Sequence, residues 1–134
     1  MIAENAKILV VEDSEINRRL FGSLLREKGY LVLEAADGEE AIEVMQKESP
    51  ALVLLDITLP KINGLDVMRI CRGKGLLGNT KVYALTASAS NDIFDAGFDG
   101  VIRKPIKVLD FLKTVEETLA GDLGESYQED PRCG

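Results

Sequence analysis

The sequence predicts an open, doubly wound α/β domain built on a five-stranded parallel sheet. Three observations carry that expectation. Five short apolar runs alternate along the 134 residues with longer segments whose apolar residues fall three and four apart, so strand and helix periods take turns. The runs are continuously apolar, as in strands covered by helices on both faces. The third run, "LVLLD", ends in a carboxylate, Asp56, at the edge where ligands bind in such sheets.

The five strands are expected at "KILVV" (7–11), "LVLEA" (31–35), "LVLLD" (52–56), "KVYALT" (81–86) and "GVIRK" (100–104). After the first strand, Asp13 or Ser14 is placed to cap a helix whose apolar face comprises Ile16, Leu20 and Leu24 with Phe21 and Leu25 beside them; Gly29 suits its end. Asp37 is placed to cap a second helix carrying Ala41, Ile42 and Met45, and a third runs from about Gly64 to Arg72. "ASASNDIFDAGFDG", between strands four and five, has room only for a short helix. The last helix repeats Val108, Phe111, Leu112, Val115 and Leu119, and Met45, Met68 and Phe111 read as core. The boundaries are thus a domain over 1–120 and a flexible acidic tail over 121–134, with no output domain legible after residue 120.

Composition narrows the function. A formal net charge of −7 disfavours a direct nucleic-acid surface, which needs a basic footprint. No apolar run approaches the ~20 residues of a membrane span. The N-terminal "MIAENAKILVVED" has no secretory pattern, and Cys71 and Cys133 have no metal-like or redox-like spacing, so a reducing, cytoplasmic setting is expected. The chain has no histidine, which excludes a Ser-His-Asp triad, a histidine metal site and a phosphohistidine of its own. Neither GxxxxGK[ST] nor GxGxxG occurs.

Reading only the strand ends, the fold collects Glu12 and Asp13, Asp56, Thr86 and Lys104 on one edge. Three carboxylates within a few ångströms repel one another, and a hard divalent cation relieves that repulsion. Mg²⁺ takes oxygen ligands and uses one or two carboxylates together with a phosphate oxygen. With the Lys104 ammonium it balances charge on a transferring phosphoryl group; the Thr86 hydroxyl can donate to a phosphoryl oxygen, and an exposed carboxylate can act as nucleophile.

These residues carry a resemblance. "ILVVEDSEINRRL", "LVLLDITLPKINGLDVM", "VYALTAS" and "VIRKPI" resemble, over about residues 6–120, the receiver domain of bacterial two-component response regulators, which has the flavodoxin-like form of the fold predicted above. The resemblance implies that Asp56 is the phospho-acceptor, that Glu12, Asp13, Asp56 and the backbone carbonyl of Thr58 bind Mg²⁺, and that Thr86 and Lys104 contact the phosphoryl group. It implies a Lys104–Pro105 bond that is often cis, and a turn shaped by Pro60 and Gly64. The implied partners are a sensor histidine kinase or a histidine phosphotransfer protein and a downstream protein target. The implied function is phosphorelay signal transduction, in which Mg-dependent phosphorylation of Asp56 switches protein–protein interactions. Such a domain is not an enzyme in the ordinary sense, since it catalyses only its own phosphoryl transfer and dephosphorylation.

Two features depart from the family. The position three before the lysine, usually aromatic, is Val101. Thr86 to Lys104 spans 18 positions, about four fewer than usual, or roughly one helical turn, so helix four should be short. These departures keep open a phosphorylation-independent scaffold or adaptor with the receiver fold. A haloacid-dehalogenase-type phosphatase is the weaker alternative, because it needs an acid where Thr58 stands and a nucleophile near the first strand. Arg18 and Arg19 read as a solvated face, with docking to a kinase as the other reading.

Overall fold

All five strands lie parallel in one sheet, in the order β2-β1-β3-β4-β5. The computed structural model describes residues 6–88 and 90–124, the last four by backbone alone. The strands are β1 (Lys7–Val11), β2 (Leu31–Ala35), β3 (Leu52–Asp56), β4 (Lys81–Thr86) and β5 (Gly100–Arg103). The helices between and after them are α1 (Glu15–Glu27), α2 (Gly38–Glu48), α3 (Gly64–Gly73), α4 (Asn91–Asp95) and α5 (Val108–Gly124). The doubly wound parallel sheet and the shortened fourth helix are as expected. The order reverses between β1 and β3, and the carboxyl edge beside that reversal is where such sheets bind ligands.

Two apolar layers cover the sheet. Leu9, Val11, Val53, Leu55, Val82 and Ala84 pack under α2 and α3 with Met45, Val67, Met68 and Cys71, and Ile93 of α4 joins them. On the other face Ile8, Val10, Leu54, Leu85 and Ile102 pack under α1 and α5 with Phe21, Leu25, Phe111 and Val115. The Phe21 and Phe111 rings, 5.2 Å apart, join those two helices. Each fully buried Leu, Val or Phe contributes about 1.5–3 kcal/mol of transfer free energy. Every residue of β3 is therefore buried, including Asp56 at its end.

Local chemistry sets the helix starts. Ser14 rather than Asp13 caps α1, accepting from the Asn17 N–H, which leaves the Asp13 carboxylate to the sheet edge. Asp37 caps α2 through the Glu40 N–H. Asn63 and Asp66 form a reciprocal capping box on α3.

Three expectations need correction. The α1 stripe does not enter the core as a unit: Phe21 and Leu25 are buried, but Ile16 is 80% and Leu20 47% exposed, and Leu24 is half-buried. The helix carries two adjacent apolar rows, and packing against α5 and β2 selects one of them. Val108, at the start of α5, is likewise exposed. Finally, α5 continues to Gly124, past the boundary expected at 120; the remainder of the expected tail, with Cys133, lies outside the described residues.

Candidate functional site at the carboxyl edge

β1 and β3 lie side by side in register Val11↔Leu55, so Glu12 and Asp13 after β1 and Asp56 at the end of β3 meet at one point. One carboxylate oxygen from each lies within 4.8 Å of the others. Glu12 and Asp56 are 3% and 2% exposed, and Asp13 is open to solvent. Burying two carboxylates this close is costly unless a cation compensates.

One cation comes from β5. Lys104, the residue after that strand, places Nζ 3.0 Å from Asp56 Oδ2 and 4.0 Å from Glu12 Oε1. The Lys104 N–H donates to the Thr86 carbonyl, tying the ends of β4 and β5 together, and the Lys104–Pro105 peptide is cis. The Thr58 N–H donates to the other Asp56 oxygen at 2.9 Å, setting the Thr58 peptide beside the carboxylate.

A single ammonium does not satisfy the cluster. Glu12 Oε1 is buried and has no hydrogen-bond partner among the described residues. Burial, and then the neighbouring Asp56 charge, push the Glu12 carboxyl above its usual value; Lys104 opposes them. An unpartnered oxygen aimed into a three-carboxylate cluster fits a hard divalent cation that takes oxygen ligands.

The loop after β3 is built close to Asp56. Gly64 donates to the Ile57 carbonyl at 2.9 Å. A Cβ on Gly64 would stand 2.8 Å from both the Asp56 carbonyl oxygen and Ile57 Cα, so only glycine allows this approach.

Thr86 behaves differently. Its hydroxyl donates to the Ser88 carbonyl at 3.1 Å and accepts the Ser88 N–H at 3.2 Å, a closed local turn rather than a bond to Asp56. Val101 is half-buried against the α2/α3 layer, as an ordinary strand valine would be. The sheet thus brings together Glu12, Asp13, Asp56 and Lys104, sets Thr58 and Thr86 at the rim, and leaves Val101 in the packing.

Sequence reasoning misses Arg18. In place of the solvated face expected for it, it donates from Nη1 to the Glu12 carbonyl at 2.8 Å and approaches Glu34 at 3.4 Å. No local spacing signals it, because Glu12 precedes α1 and offers its backbone carbonyl, and the pairing with Glu34 of β2 is not legible either. Arg19 does follow the solvated reading, paired with Glu15 on the exposed side of α1.

A parallel sheet of this order with an acid cluster and a lysine at its carboxyl edge defines a small class of proteins, and comparison agrees. Residues 8–116 match the sequence profile of the response regulator receiver domain, so the chain belongs to that family and to two-component signalling. It is 34% identical over 116 residues to the polar-differentiation response regulator DivK of Brucella anthropi, covering 84% of this chain and 94% of that one. Among solved structures it is similar to the chemotaxis response regulator CheY4 of Vibrio cholerae, with TM-score 0.80, 29% identity, and coverage of 85% and 98%. A CheY-like receiver domain protein of Methanospirillum hungatei gives TM-score 0.82, 28% identity, and coverage of 90% and 98%.

Proposed function

We propose that Asp56 accepts a phosphoryl group from a phosphohistidine on a sensor histidine kinase or histidine phosphotransfer protein, and that phosphorylation alters affinity for a downstream protein. The observation that carries this reading is the pairing of Lys104 Nζ with Asp56 Oδ2 at 3.0 Å beside an unpartnered, buried Glu12 oxygen. In the transfer, an Asp56 oxygen forms the new P–O bond, the P–N bond breaks, and its electron pair returns to the partner's imidazole. Lys104 neutralises charge on the acceptor and then on the phosphoryl oxygens. Thr86 must release Ser88 before its hydroxyl can donate to a phosphoryl oxygen.

Glu12, Asp13, Asp56 and the Thr58 carbonyl are the residues that would hold Mg²⁺. The ion supplies charge neutralisation among carboxylates and phosphoryl oxygens. The domain turns over no separate substrate, and catalyses only its own phosphorylation and dephosphorylation.

The donor has a surface at hand. α1 and α5 pack together and begin at the carboxyl edge, and near their starts Ile16, Leu20, Val108 and Leu109 are exposed. Apolar side chains flanking a reaction site suit a helical partner that must be held while transfer occurs. No helix among the described residues is long and apolar enough to cross a membrane, and we place the chain in the cytoplasm with its donor.

The test is phosphoryl incorporation from acetyl phosphate, read by intact-protein mass spectrometry. Wild type should gain one phosphoryl group only with Mg²⁺, and Asp56→Asn none. No incorporation from either acetyl phosphate or a phosphohistidine donor would sink the reading and leave a phosphorylation-independent scaffold.

A further inference from the structure

The turn between the two metal-side acids is held from α1 and, through it, from the edge strand β2. The Arg18 side chain is 15% exposed. Its Nη1 donates to the Glu12 carbonyl at 2.8 Å and its Nε stands 3.4 Å from Glu34 Oε1. Glu34 reaches in turn to Arg26, with Oε2 3.2 Å from Nη2, and Arg26 also donates to the Val32 carbonyl. The helix surface is kept clear for this network at Gly22, where a Cβ would stand 3.1 Å from both Glu34 Oε2 and Arg26 Nη1.

The bond from Arg18 has a specific geometric consequence. The Glu12 carbonyl and the Asp13 N–H share one planar peptide, so fixing that oxygen fixes the angle at which the chain turns from Glu12 into Asp13. The other end of Glu12 is held too, because its N–H donates to the Ala35 carbonyl at 3.1 Å. Both acids therefore leave a backbone restrained on each side. That restraint acts against the repulsion among the Glu12, Asp13 and Asp56 carboxylates.

We propose that Arg18 is a positioning residue: it orients the Glu12–Asp13 peptide, with Glu34 as its anchor, and so sets the affinity of the acidic pocket for a divalent cation. The proposal rests on the metal reading of that pocket. A planar fork that bonds a carbonyl while pairing electrostatically with a carboxylate is a task for arginine; lysine retains the charge but not the paired geometry.

The experiment measures Mg²⁺ binding by titration calorimetry on the full chain, with unfolding temperature in EDTA and the ¹⁵N–¹H amide signal of Asp13 in metal-free protein. Arg18→Gln should weaken Mg²⁺ binding about tenfold, the low end for partners that orient metal ligands, and displace the Asp13 amide signal. Glu34→Gln should act in the same direction, and Arg18→Lys should fall between wild type and Arg18→Gln. Arg26→Gln removes a Glu34 partner without touching Glu12; it should lower the unfolding temperature but leave Mg²⁺ affinity and the Asp13 signal close to wild type. Unchanged binding in Arg18→Gln overturns the proposal, as does equal weakening in Arg26→Gln, which would mean general loosening. Full recovery by Arg18→Lys would reduce Arg18 to a charge and overturn it as well. If Arg18→Gln does not fold, Arg18→Lys and Glu34→Gln decide. A wild type that binds no Mg²⁺ would defeat the pocket reading; the Asp13 signal would then judge the Arg18 contact alone.

Discussion

The two halves of the carboxyl edge are built to different standards of order. Around β1 and β3, Glu12 is held by the Ala35 carbonyl and by Arg18, and Asp56 by Lys104 and the Thr58 N–H. Around β4 and β5, the Thr86 hydroxyl is turned to Ser88, the helix that follows has five residues, and Val101 stands where the family usually has an aromatic ring. The first half resembles a site preorganised for charge; on the proposed function, the second would have to rearrange before touching a phosphoryl group. Lys104 reaches Asp56 from the end of β5, so the division runs between side chains bonded to the acid cluster and those turned away from it. On the proposed function, acceptance of the phosphoryl group and the response to it would rest on different members of the edge.

Substitutions should divide along that line. The largest effect is expected from Lys104→Ala, which leaves the buried Asp56 without its cation and should slow phosphorylation from acetyl phosphate by about a hundredfold. Thr86→Ala, on the other half, should keep incorporation within about tenfold of wild type, the scale of one neutral hydrogen bond. Comparable losses in the two variants, in a time course of intact mass, would erase the distinction.

The glycines give a second contrast. Gly64→Ala sets a methyl against the Asp56 carbonyl and Ile57 Cα; the backbone must move, at about 1–3 kcal/mol by urea unfolding, and phosphorylation should slow with it. Gly97 has φ of 100° and borders Arg72, which donates to the Ala96 carbonyl at 2.9 Å and closes α4. Gly97→Ala should cost about 1–2 kcal/mol for its backbone conformation, yet leave the phosphorylation rate near wild type. Slowed transfer in Gly97→Ala would couple the halves after all.

A smaller effect should appear in pH. Burial and the Asp56 charge raise the Glu12 carboxyl, so the folded, metal-free protein keeps that proton to higher pH than the unfolded chain. The stability contributed by this proton is fully present below the usual glutamate value and is lost as pH rises through the raised folded value. Glu12→Gln should flatten that fall in urea midpoints measured across the window in EDTA, and an unaltered slope would remove Glu12 as its source. The smallest effect is expected from Val101→Ala, below about 1.5 kcal/mol with unchanged phosphorylation, because the valine only packs. A changed phosphorylation rate in that variant would give Val101 a part in switching.

Much of the fold and of the site is legible in the amino-acid sequence. The strand runs 7–11, 31–35, 52–56 and 81–86 match the observed strands, because continuous apolar runs in a β-α alternation have one economical way to be buried. The cap at Asp37 and the start of α3 at Gly64 follow from side chains that bond their own backbone. The α1 face is not legible. Ile16, Leu20 and Leu24 form as good a helical row as Phe21 and Leu25, and local periodicity cannot rank two adjacent rows. Arg18 is obscured for a related reason: a charged residue on a helix looks solvated until a strand from elsewhere brings Glu34 to it.

Local sequence is enough to specify the set of elements, their order, and the identity of the residues at the strand ends, since hydrophobic period and capping act over a few residues. Tertiary packing settles the rest: which α1 row faces the sheet, that Ser14 and not Asp13 caps that helix, that Thr86 is bonded away from Asp56, and that Arg18 holds the Glu12 peptide. The Ser14, Thr86 and Arg18 bonds span only two to six residues, and packing selects them among local alternatives; the α1 row depends on distances between segments remote in the chain. Such distances are set by how two helical layers and five strands pack together, and no local pattern encodes them.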